Sequence, residues 1–421
     1  MIGAASLQEP TPLLETLLDH PDFWKYVSIP FVAGFVGWST NWAAIKLTFL
    51  PLEFVGRKPY LGWQGIIPSK AARMAEIFVD STMIKLGTLP ELFEQMEPAK
   101  IAAQIEKVIA PRLDKYTDEI VLAENPALWR RTPQVVKQRI YERIRQSFPQ
   151  LVANLMAEVT EKVEELIDFK QMISERLVQD PALLNRLFLE SGAKEFKFII
   201  RSGLYFGFLF GLVQLVVWIA YPAGWVLPTF GLIVGYATNW IALNIIFRPL
   251  YPTKVGPWTI QGLFLKRQEE VAGVWCRLVT REIVNVRSII YAMVGGARSD
   301  NTKALIKKHI EPIVHEALDP LLALPTQLTV GQRGFDEMMN RVGEKSVAVS
   351  TDPFDDWHFN TERGRVVERL LRQRMIELPS DQFQDLLRPC FQEDEMKLIL
   401  VGAVLGFLAG LAQLFFVFGG V

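Results

Sequence analysis

The chain contains 421 residues, of which 50% are hydrophobic and 22% are charged, and its formal net charge is −1. This balance provides no excess of positive charge for binding nucleic acid. The mean hydropathy of +0.18 is high for a soluble protein, and two cysteines, Cys276 and Cys390, do not indicate a disulfide framework.

The first half begins with a polar lead, predicted over residues 1–28, and a first transmembrane helix, predicted over residues 29–50. The lead contains Glu9 and Glu15 and lacks the basic segment of a signal peptide, so the first apolar stretch is expected to stay as an anchor. A motif loop and a helical domain are predicted over residues 51–197, because the apolar residues there follow a helical period and prolines divide them into short helices.

The second half follows the same plan. Residues 198–220 and 226–247 are predicted as the second and third transmembrane helices, since each is about as long as a bilayer core requires. A second motif loop and helical domain are predicted over residues 248–397, with a long loop at 342–364, and the fourth transmembrane helix over residues 398–418.

Short motifs recur about 198 residues apart. Thr40, Asn41 and Trp42 correspond to residues 238–240, which are again Thr-Asn-Trp. Two further matches occur at nearly the same offset: Gln64-Gly65 with Gln261-Gly262, and Gly207 with Gly406. They indicate a tandem duplication. The predicted fold class is an all-α membrane protein with two tandem repeats, each with two transmembrane helices flanking a cytoplasmic-side helical domain, four spans in total.

Basic residues predict the orientation. The flanks of the spans that face the helical domains contain Arg57, Lys58, Lys194, Lys197, Arg201, Lys254 and Lys397, whereas the turn at residues 221–225 contains no charge. The positive-inside rule therefore predicts both helical domains on the cytoplasmic or equivalent side and both termini on the other side.

The apolar spans contain a polar motif and a stripe of small residues. The membrane motif consists of Thr40, Asn41, Trp42, Lys46, Thr238, Asn239, Trp240 and Arg248. The helix-packing stripe consists of Gly203, Gly207, Gly211, Gln214, Gly402, Gly406, Gly410 and Gln413. Small residues let helix backbones approach, and an amide in lipid needs a hydrogen-bond partner.

Two interpretations of these amides remain open. Asn41 and Asn239 are expected to meet each other, or to meet Gln214 and Gln413, as packing contacts. The alternative is a polar pathway for an ion or small solute. Packing is favoured because no span has a central Asp, Glu or Arg.

A collar at the level of the lipid headgroups is the second candidate site. It consists of Gln64, Lys70, Arg73, Gln261, Lys266 and Arg267. These residues are expected to bind anionic lipid headgroups or, more simply, to anchor the protein at the membrane interface.

Catalytic and metal-binding patterns are not found in the sequence. His309 and His315 are six residues apart, which does not place them on one helix face. Asp355, Asp356 and His358 are predicted to form a solvated acidic loop rather than a cation site. We therefore expect no catalytic residues, no cofactor and no metal.

The duplicated motif resembles that of the YheB/YjiN-like family of uncharacterised bacterial membrane proteins. Thr238, Asn239 and Trp240, with residues 247–249, match the first part of the family pattern best, and residues 64–68 match its second part. Leu50 stands where the pattern has arginine, and Leu265 where it has proline. The length and the two copies are similar to a thylakoid-membrane-associated branch. The resemblance implies a thylakoid or bacterial plasma membrane location and no particular activity.

The leading functional expectation is a non-enzymatic membrane scaffold. Its partners would be the lipid bilayer, anionic lipids and proteins on the cytoplasmic side, with no nucleic acid. The alternatives are a transporter or lipid-handling protein that uses the Thr-Asn-Trp motif, and an enzyme acting on lipid headgroups, for which the sequence offers no nucleophile.

Overall fold

The computed structural model describes residues 23–419 except 58–60, 78, 81–83, 125, 323–331 and 393–394. The predicted lead up to residue 22 and the basic residue Lys58 lie outside the described residues.

The described elements are mainly helical, so the prediction of an all-α fold is confirmed. The first half contains α1 (Phe23–Phe49), β1 (Val55–Arg57), β2 (Leu61–Trp63), α2 (Ile66–Ser69), α3 (Ala71–Ile77), α4 (Ile84–Leu86), α5 (Leu89–Gln95), α6 (Pro98–Ile109), α7 (Leu113–Glu124), α8 (Pro126–Arg131), α9 (Gln134–Glu161), α10 (Val163–Leu166), α11 (Phe169–Gln179) and α12 (Pro181–Ser191). The second half contains α13 (Ala193–Ala220), α14 (Val226–Phe247), β3 (Thr253–Val255), β4 (Trp258–Ile260), α15 (Leu263–Lys266), α16 (Gln268–Glu282), α17 (Val286–Gly295), α18 (Ser299–Leu322), α19 (Gln332–Val349), α20 (Trp357–Glu377), α21 (Ser380–Gln392) and α22 (Glu395–Phe416).

Three helices among the described residues are long and apolar enough to cross a membrane, namely α13, α14 and α22. Helix α1 has 27 residues but is less apolar, because it also contains Ser39, Thr40, Asn41 and Lys46. Its place as a fourth span stays a prediction.

The chain divides into two compact units. Unit 1 consists of Met1–Lys70, Phe188–Gln268 and Pro379–Val421, and unit 2 consists of Ala71–Leu187 and Glu269–Leu378. The sequence predicted a separate helical domain in each half, whereas both helical segments belong to unit 2.

A shared core explains why the two helical segments form one unit. Trp129 and Ile140 from the first segment pack in one buried cluster with Ala317 and Met338 from the second. The helices of both segments are amphipathic, so an apolar face on one segment is buried against the other.

Unit 1 is built around four long helices. Helix α1 packs against α13, and α14 packs against α22. At the end of the bundle near the 221–225 turn, Ile29, Trp218, Leu227 and Leu414 contribute to one buried apolar cluster, so all four helices meet there.

Helix α14 ends where the sequence requires it. Arg248 is extended, with φ −133° and ψ 150°, because the ring of Pro249 disfavours the helical conformation of the residue before it. Helix α1 likewise ends just before Leu50-Pro51, and both peptide bonds that precede these prolines are cis.

Each motif loop contains a β-hairpin that the sequence analysis did not predict. Strands β1 and β2 pair antiparallel, with Val55 opposite Trp63, and β3 and β4 pair with Val255 opposite Trp258. The signal was present in the Val255-Gly256-Pro257-Trp258 turn, where Gly256 adopts a φ of +60°.

The prediction of a long loop at residues 342–364 is wrong. Helix α19 continues to Val349, and α20 begins at Trp357 after a short 3₁₀ turn. The carboxylate of Asp356 caps α20 by accepting hydrogen bonds from the backbone N–H groups of His358 (2.9 Å) and Phe359 (3.2 Å).

Candidate functional site in the helical bundle

Glycines bring α1 and α13 into backbone contact. A Cβ atom on Gly37 would overlap the carbonyl oxygen of Gly203, and a Cβ atom on Gly207 would lie 2.6 Å from the carbonyl oxygen of Ala33. Gly211 lies against Pro30 in the same way. The predicted small-residue stripe of α13 therefore packs along α1.

The other helix pair repeats these contacts at equivalent positions. A Cβ atom on Gly235 would overlap the carbonyl oxygen of Gly402, and a Cβ atom on Gly406 would overlap that of Gly231. Gly410 lies against Leu227 and Pro228. Since only glycine fits such close approaches, each stripe is needed for its helix pair.

The buried polar residues of the motif bond mainly to backbone. Asn41 Nδ2 donates to the carbonyl oxygen of Ile199 at 2.7 Å, across the α1–α13 contact. The hydroxyl of Thr40 donates to the carbonyl oxygen of Gly37, and that of Thr238 to Val234. The side chain of Asn41 thus bonds to a backbone carbonyl, whereas the sequence analysis predicted a bond to another side-chain amide.

Two amide atoms among the described residues of the bundle have no hydrogen-bond partner. They are Oδ1 of Asn41 and Nε2 of Gln413, both buried. Asn239 and Gln214 are also buried, so all four predicted amides lie inside unit 1. Such unsatisfied atoms are the strongest feature in favour of a polar ligand in this bundle.

The remaining motif residues face away from the bundle interior. Trp42 and Trp240 are about half exposed, although each directly follows a buried asparagine. Lys46 and Arg248 are exposed near the ends of α1 and α14. Each copy of the motif therefore presents an amide to the neighbouring helix and an indole to the surroundings.

The two glutamines of the predicted collar fix the motif loops. Gln64 Nε2 donates to the carbonyl oxygen of Leu52 at 2.8 Å, and the N–H of Gly65 donates to that of Pro51 at 2.9 Å. These bonds return the chain to the end of α1 after the first hairpin.

The second motif loop is closed by the equivalent bonds. Gln261 Nε2 donates to Leu250 at 3.3 Å, and the N–H of Gly262 donates to Pro249 at 3.0 Å. A Cβ atom on Gly262 would lie 2.7 Å from the carbonyl oxygen of Ile246, which explains the glycine. The Gln-Gly pairs therefore have a structural role.

The basic residues of the predicted collar differ from one another. Arg267 forms an ion pair with Glu195, which is 4% exposed, while its neighbour Lys266 is exposed. Oε2 of Glu195 has no hydrogen-bond partner. Lys70 is half-buried at the end of unit 1, and Arg73 is exposed in unit 2. The surroundings of these basic residues thus differ, and their joint role as a lipid-binding collar stays a prediction.

Unit 2 contains a groove that sequence analysis missed. Its volume is about 980 Å³, and residues of α11, α16, α17 and α20 line it. The charged lining residues are Arg176, Arg277, Arg281, Arg287, Arg365, Asp168, Glu175, Glu282, Asp355 and Glu368. Positive and negative side chains are balanced in this groove, which is assembled from segments far apart in sequence.

Aromatic and arginine side chains define the character of this groove. Trp357 is 62% exposed, and Tyr291 is also exposed. The guanidinium of Arg287 lies 5.4 Å from the ring centre of Tyr291 and 3.0 Å from Asp355 Oδ1. Asp355, predicted to be part of an acidic loop, therefore pairs with an arginine at the groove wall.

Two lysines and a histidine surround one carboxylate elsewhere in unit 2. Glu158 accepts hydrogen bonds from Lys162 Nζ (2.8 Å), Lys308 Nζ (2.9 Å) and His309 Nε2 (2.8 Å). These three contacts, that of Lys162 foremost, lower the pKa of Glu158 from 4.5 to about 2. His309 therefore serves the contact between α9 and α18.

We expect acid to weaken unit 2 through this cluster. The folded-state pKa of Glu158 lies below its unfolded value of 4.5, so its stabilising effect is present above pH 4.5 and is lost as the pH falls toward about 2. Thermal unfolding of the full chain in detergent across this range should show a steeper loss of melting temperature for the wild type than for Glu158→Gln. Equal slopes would contradict this assignment.

Comparison with known proteins supports a membrane location. No family model matches the chain, and no solved structure matches it. A curated relative named UPF0754 membrane protein, from Synechococcus sp. (strain JA-2-3B'a(2-13)), is 28% identical over 149 residues, which cover 33% of this chain and 34% of the relative.

The chain thus matches about a third of the relative's length. That relative's name states a membrane location and no activity. Together with the three apolar helices, it supports a membrane location for this chain. It does not support the YheB/YjiN name or the thylakoid branch that the resemblance suggested.

Proposed function

We propose that this protein is a non-enzymatic membrane scaffold, in which unit 1 is the anchor and unit 2 binds a protein partner. The groove of unit 2 is the observation that carries the proposal. Its volume of about 980 Å³ and its open aromatic wall suit a segment of another protein.

The composition of the groove favours a protein over a small solute. Trp, Tyr and Arg are the residues most enriched at the energetic centres of protein interfaces. Trp357, Tyr291 and Arg287 all line the groove, and the guanidinium of Arg287 lies over the ring of Tyr291. Because acidic and basic side chains also line this groove, the fitting partner is a segment with both charges around an apolar side chain.

We also propose a four-span arrangement with two tandem repeats. The matched contacts Gly37–Gly203 and Gly235–Gly402 support it, because each half supplies one such helix pair. In this arrangement unit 2 is cytoplasmic or in the equivalent compartment, and both termini lie on the other side. A thylakoid or bacterial plasma membrane is the proposed location.

The scaffold proposal predicts loss of a partner when the groove is changed. We expect Trp357→Ala combined with Tyr291→Ala to reduce recovery of a stoichiometric partner at least tenfold, since each is an exposed aromatic anchor. The measurement is quantitative mass spectrometry of protein purified from native membranes.

Val135→Ala provides the matched control, because Val135 is 70% exposed on α9 and does not line the groove. It should leave the partner bound. Full recovery of the partner with the groove variant would rule out this groove as the docking site. Absence of any stoichiometric protein from wild-type preparations would reject the scaffold itself.

The second candidate is a transporter or lipid-handling protein acting through the Thr-Asn-Trp motif. The unpartnered Oδ1 of Asn41 and Nε2 of Gln413 favour it, because such buried atoms are available to a polar solute. Under this alternative, Asn41→Leu combined with Asn239→Leu abolishes solute or lipid movement in proteoliposomes while the folded protein persists.

Separate measurements of folding and of solute or lipid movement distinguish amides that act as packing contacts from amides that form a transport pathway. If the double variant fails to fold, the amides act as packing contacts and the scaffold proposal stands. Asn244→Leu is a suitable control, because Asn244 lies on α14 outside the motif and its amide donates a hydrogen bond within its own helix to the carbonyl oxygen of Trp240.

A further inference from the structure

The second hairpin has two chemically different faces. Thr253 pairs with Ile260, Lys254 with Thr259, and Val255 with Trp258. Paired residues share a face of an antiparallel ribbon, and successive residues alternate between faces. Val255, Trp258 and Ile260 therefore lie on one face together with Thr253, and Lys254 and Thr259 lie on the other.

The apolar face has no cover among the described residues. Every residue from 251 to 260 is exposed, with Trp258 at 73% and Val255 at 53%. A two-stranded hairpin has no core of its own and is marginal in water. A contiguous exposed apolar patch of this kind marks a surface that binds something.

The hairpin is held at the end of an apolar helix. Strand β3 begins shortly after Phe247, the last residue of α14, which is one of the three candidate spans. The Gly262–Pro249 backbone bond of 3.0 Å and the Gln261 side chain close the loop onto that end. Where α14 enters the bilayer, its hairpin must therefore lie at the level of the headgroups.

The first hairpin lies in the same way at the end of α1, but its basic residue shares a face with its tryptophan. Val55 pairs with Trp63, so these two apolar side chains share a face, and Arg57 lies on the same face because it is two residues from Val55. The Gly65–Pro51 bond of 2.9 Å closes this loop as its counterpart closes the second.

We propose that both hairpins insert their apolar faces into the interfacial layer of an anionic leaflet. Trp is the residue most suited to this depth, because its ring is apolar and its N–H remains solvated. Lys254 and Arg57 then reach lipid phosphates. The bilayer is the fitting partner because the surface continues directly from an apolar span. For the second hairpin the proposal rests on α14 crossing the membrane, and for the first it rests on α1 crossing it as well. It is independent of what unit 2 binds.

Depth of insertion is the direct test. Val255→Cys in the full chain, with Cys390→Ser, is labelled with an environment-sensitive dye and reconstituted singly in nanodiscs of phosphatidylcholine and phosphatidylglycerol. Cys276 is buried, and burial raises the pKa of its thiol, so it should not react. Asp300→Cys, at an almost fully exposed position of α18, serves as control.

Two quenchers separate the outcomes. We expect nitroxide-bearing lipid to quench the dye at position 255 at least threefold more strongly than the dye at position 300, and iodide to quench it less. Strong iodide quenching without nitroxide quenching would overturn the proposal. Protection from both quenchers would also overturn it, because protein would then cover the face.

A separate variant tests whether the basic residues of the hairpins favour anionic lipids. Lys254→Gln combined with Arg57→Gln should weaken phosphatidylglycerol binding about fivefold per charge removed, from about 1 kcal/mol for each basic residue near the surface. Lys303→Gln combined with Lys307→Gln, two exposed lysines of α18, is the control of equal charge. Equal binding by the two double variants would refute the headgroup contacts. That result would not bear on the proposal that the groove of unit 2 binds a protein partner.

Discussion

Replacing Gly37 by alanine is expected to destabilise unit 1 by about 3 kcal/mol or more. The added methyl group would overlap the carbonyl oxygen of Gly203, and a backbone atom cannot rotate away as a side chain can. The helices α1 and α13 must separate, which also stretches the Asn41–Ile199 hydrogen bond of 2.7 Å. SDS titration of the full chain in mixed micelles measures the loss.

Two other glycines calibrate this result. A methyl group on Gly34, in the same helix, would lie 3.2 Å from the carbonyl oxygen of Leu204, so Gly34→Ala should cost clearly less. Gly343 in α19 has open space around it, so Gly343→Ala should be neutral or stabilising by up to about 1 kcal/mol. If Gly37→Ala and Gly34→Ala were equally mild, the close backbone approach would be refuted.

Replacing Arg267 by methionine is expected to cost about 3–5 kcal/mol. The change leaves Glu195, which is 4% exposed, as a buried carboxylate without its cation. The penalty is large because a buried charge cannot recover its hydration, whereas an exposed ion pair contributes little. The same SDS titration measures this effect.

The adjacent residue and a double variant test the cause. Lys266 is exposed, so Lys266→Met should change the free energy of unfolding by less than about 0.5 kcal/mol. Adding Glu195→Gln to Arg267→Met should restore most of the lost stability, because the uncompensated charge is removed. If the double variant lost as much unfolding free energy as the two single variants together, the Arg267–Glu195 pair would not be the source of the effect.

The sequence was informative wherever a local pattern determines a contact. Glycines spaced four residues apart mark the stripe along which α13 meets α1, and the prolines at 51 and 249 mark helix ends. The partner of Asn41 was beyond such reasoning. Once Gly37 faces Gly203, Asn41 lies one turn further along α1 and Ile199 one turn back along α13, so the backbone carbonyl is nearest.

Contacts between distant segments were the least predictable. Lys266 and Arg267 are chemically similar neighbours, and only the fold brings Glu195 to one of them. The groove likewise joins α11 with α16, α17 and α20, which no local periodicity relates. The hairpins were overlooked for a different reason, since three-residue strands are too short for alternation to stand out.

The shared core of unit 2 has a consequence for how the chain is made. Trp129 and Ile140 pack with Ala317 and Met338, so the first helical segment cannot complete its core until the ribosome has produced the second. Helices α13 and α14 are synthesised in between and have to enter the membrane first. During that interval the apolar surface of the first segment is exposed. A chaperone or the bilayer surface must cover it to prevent aggregation.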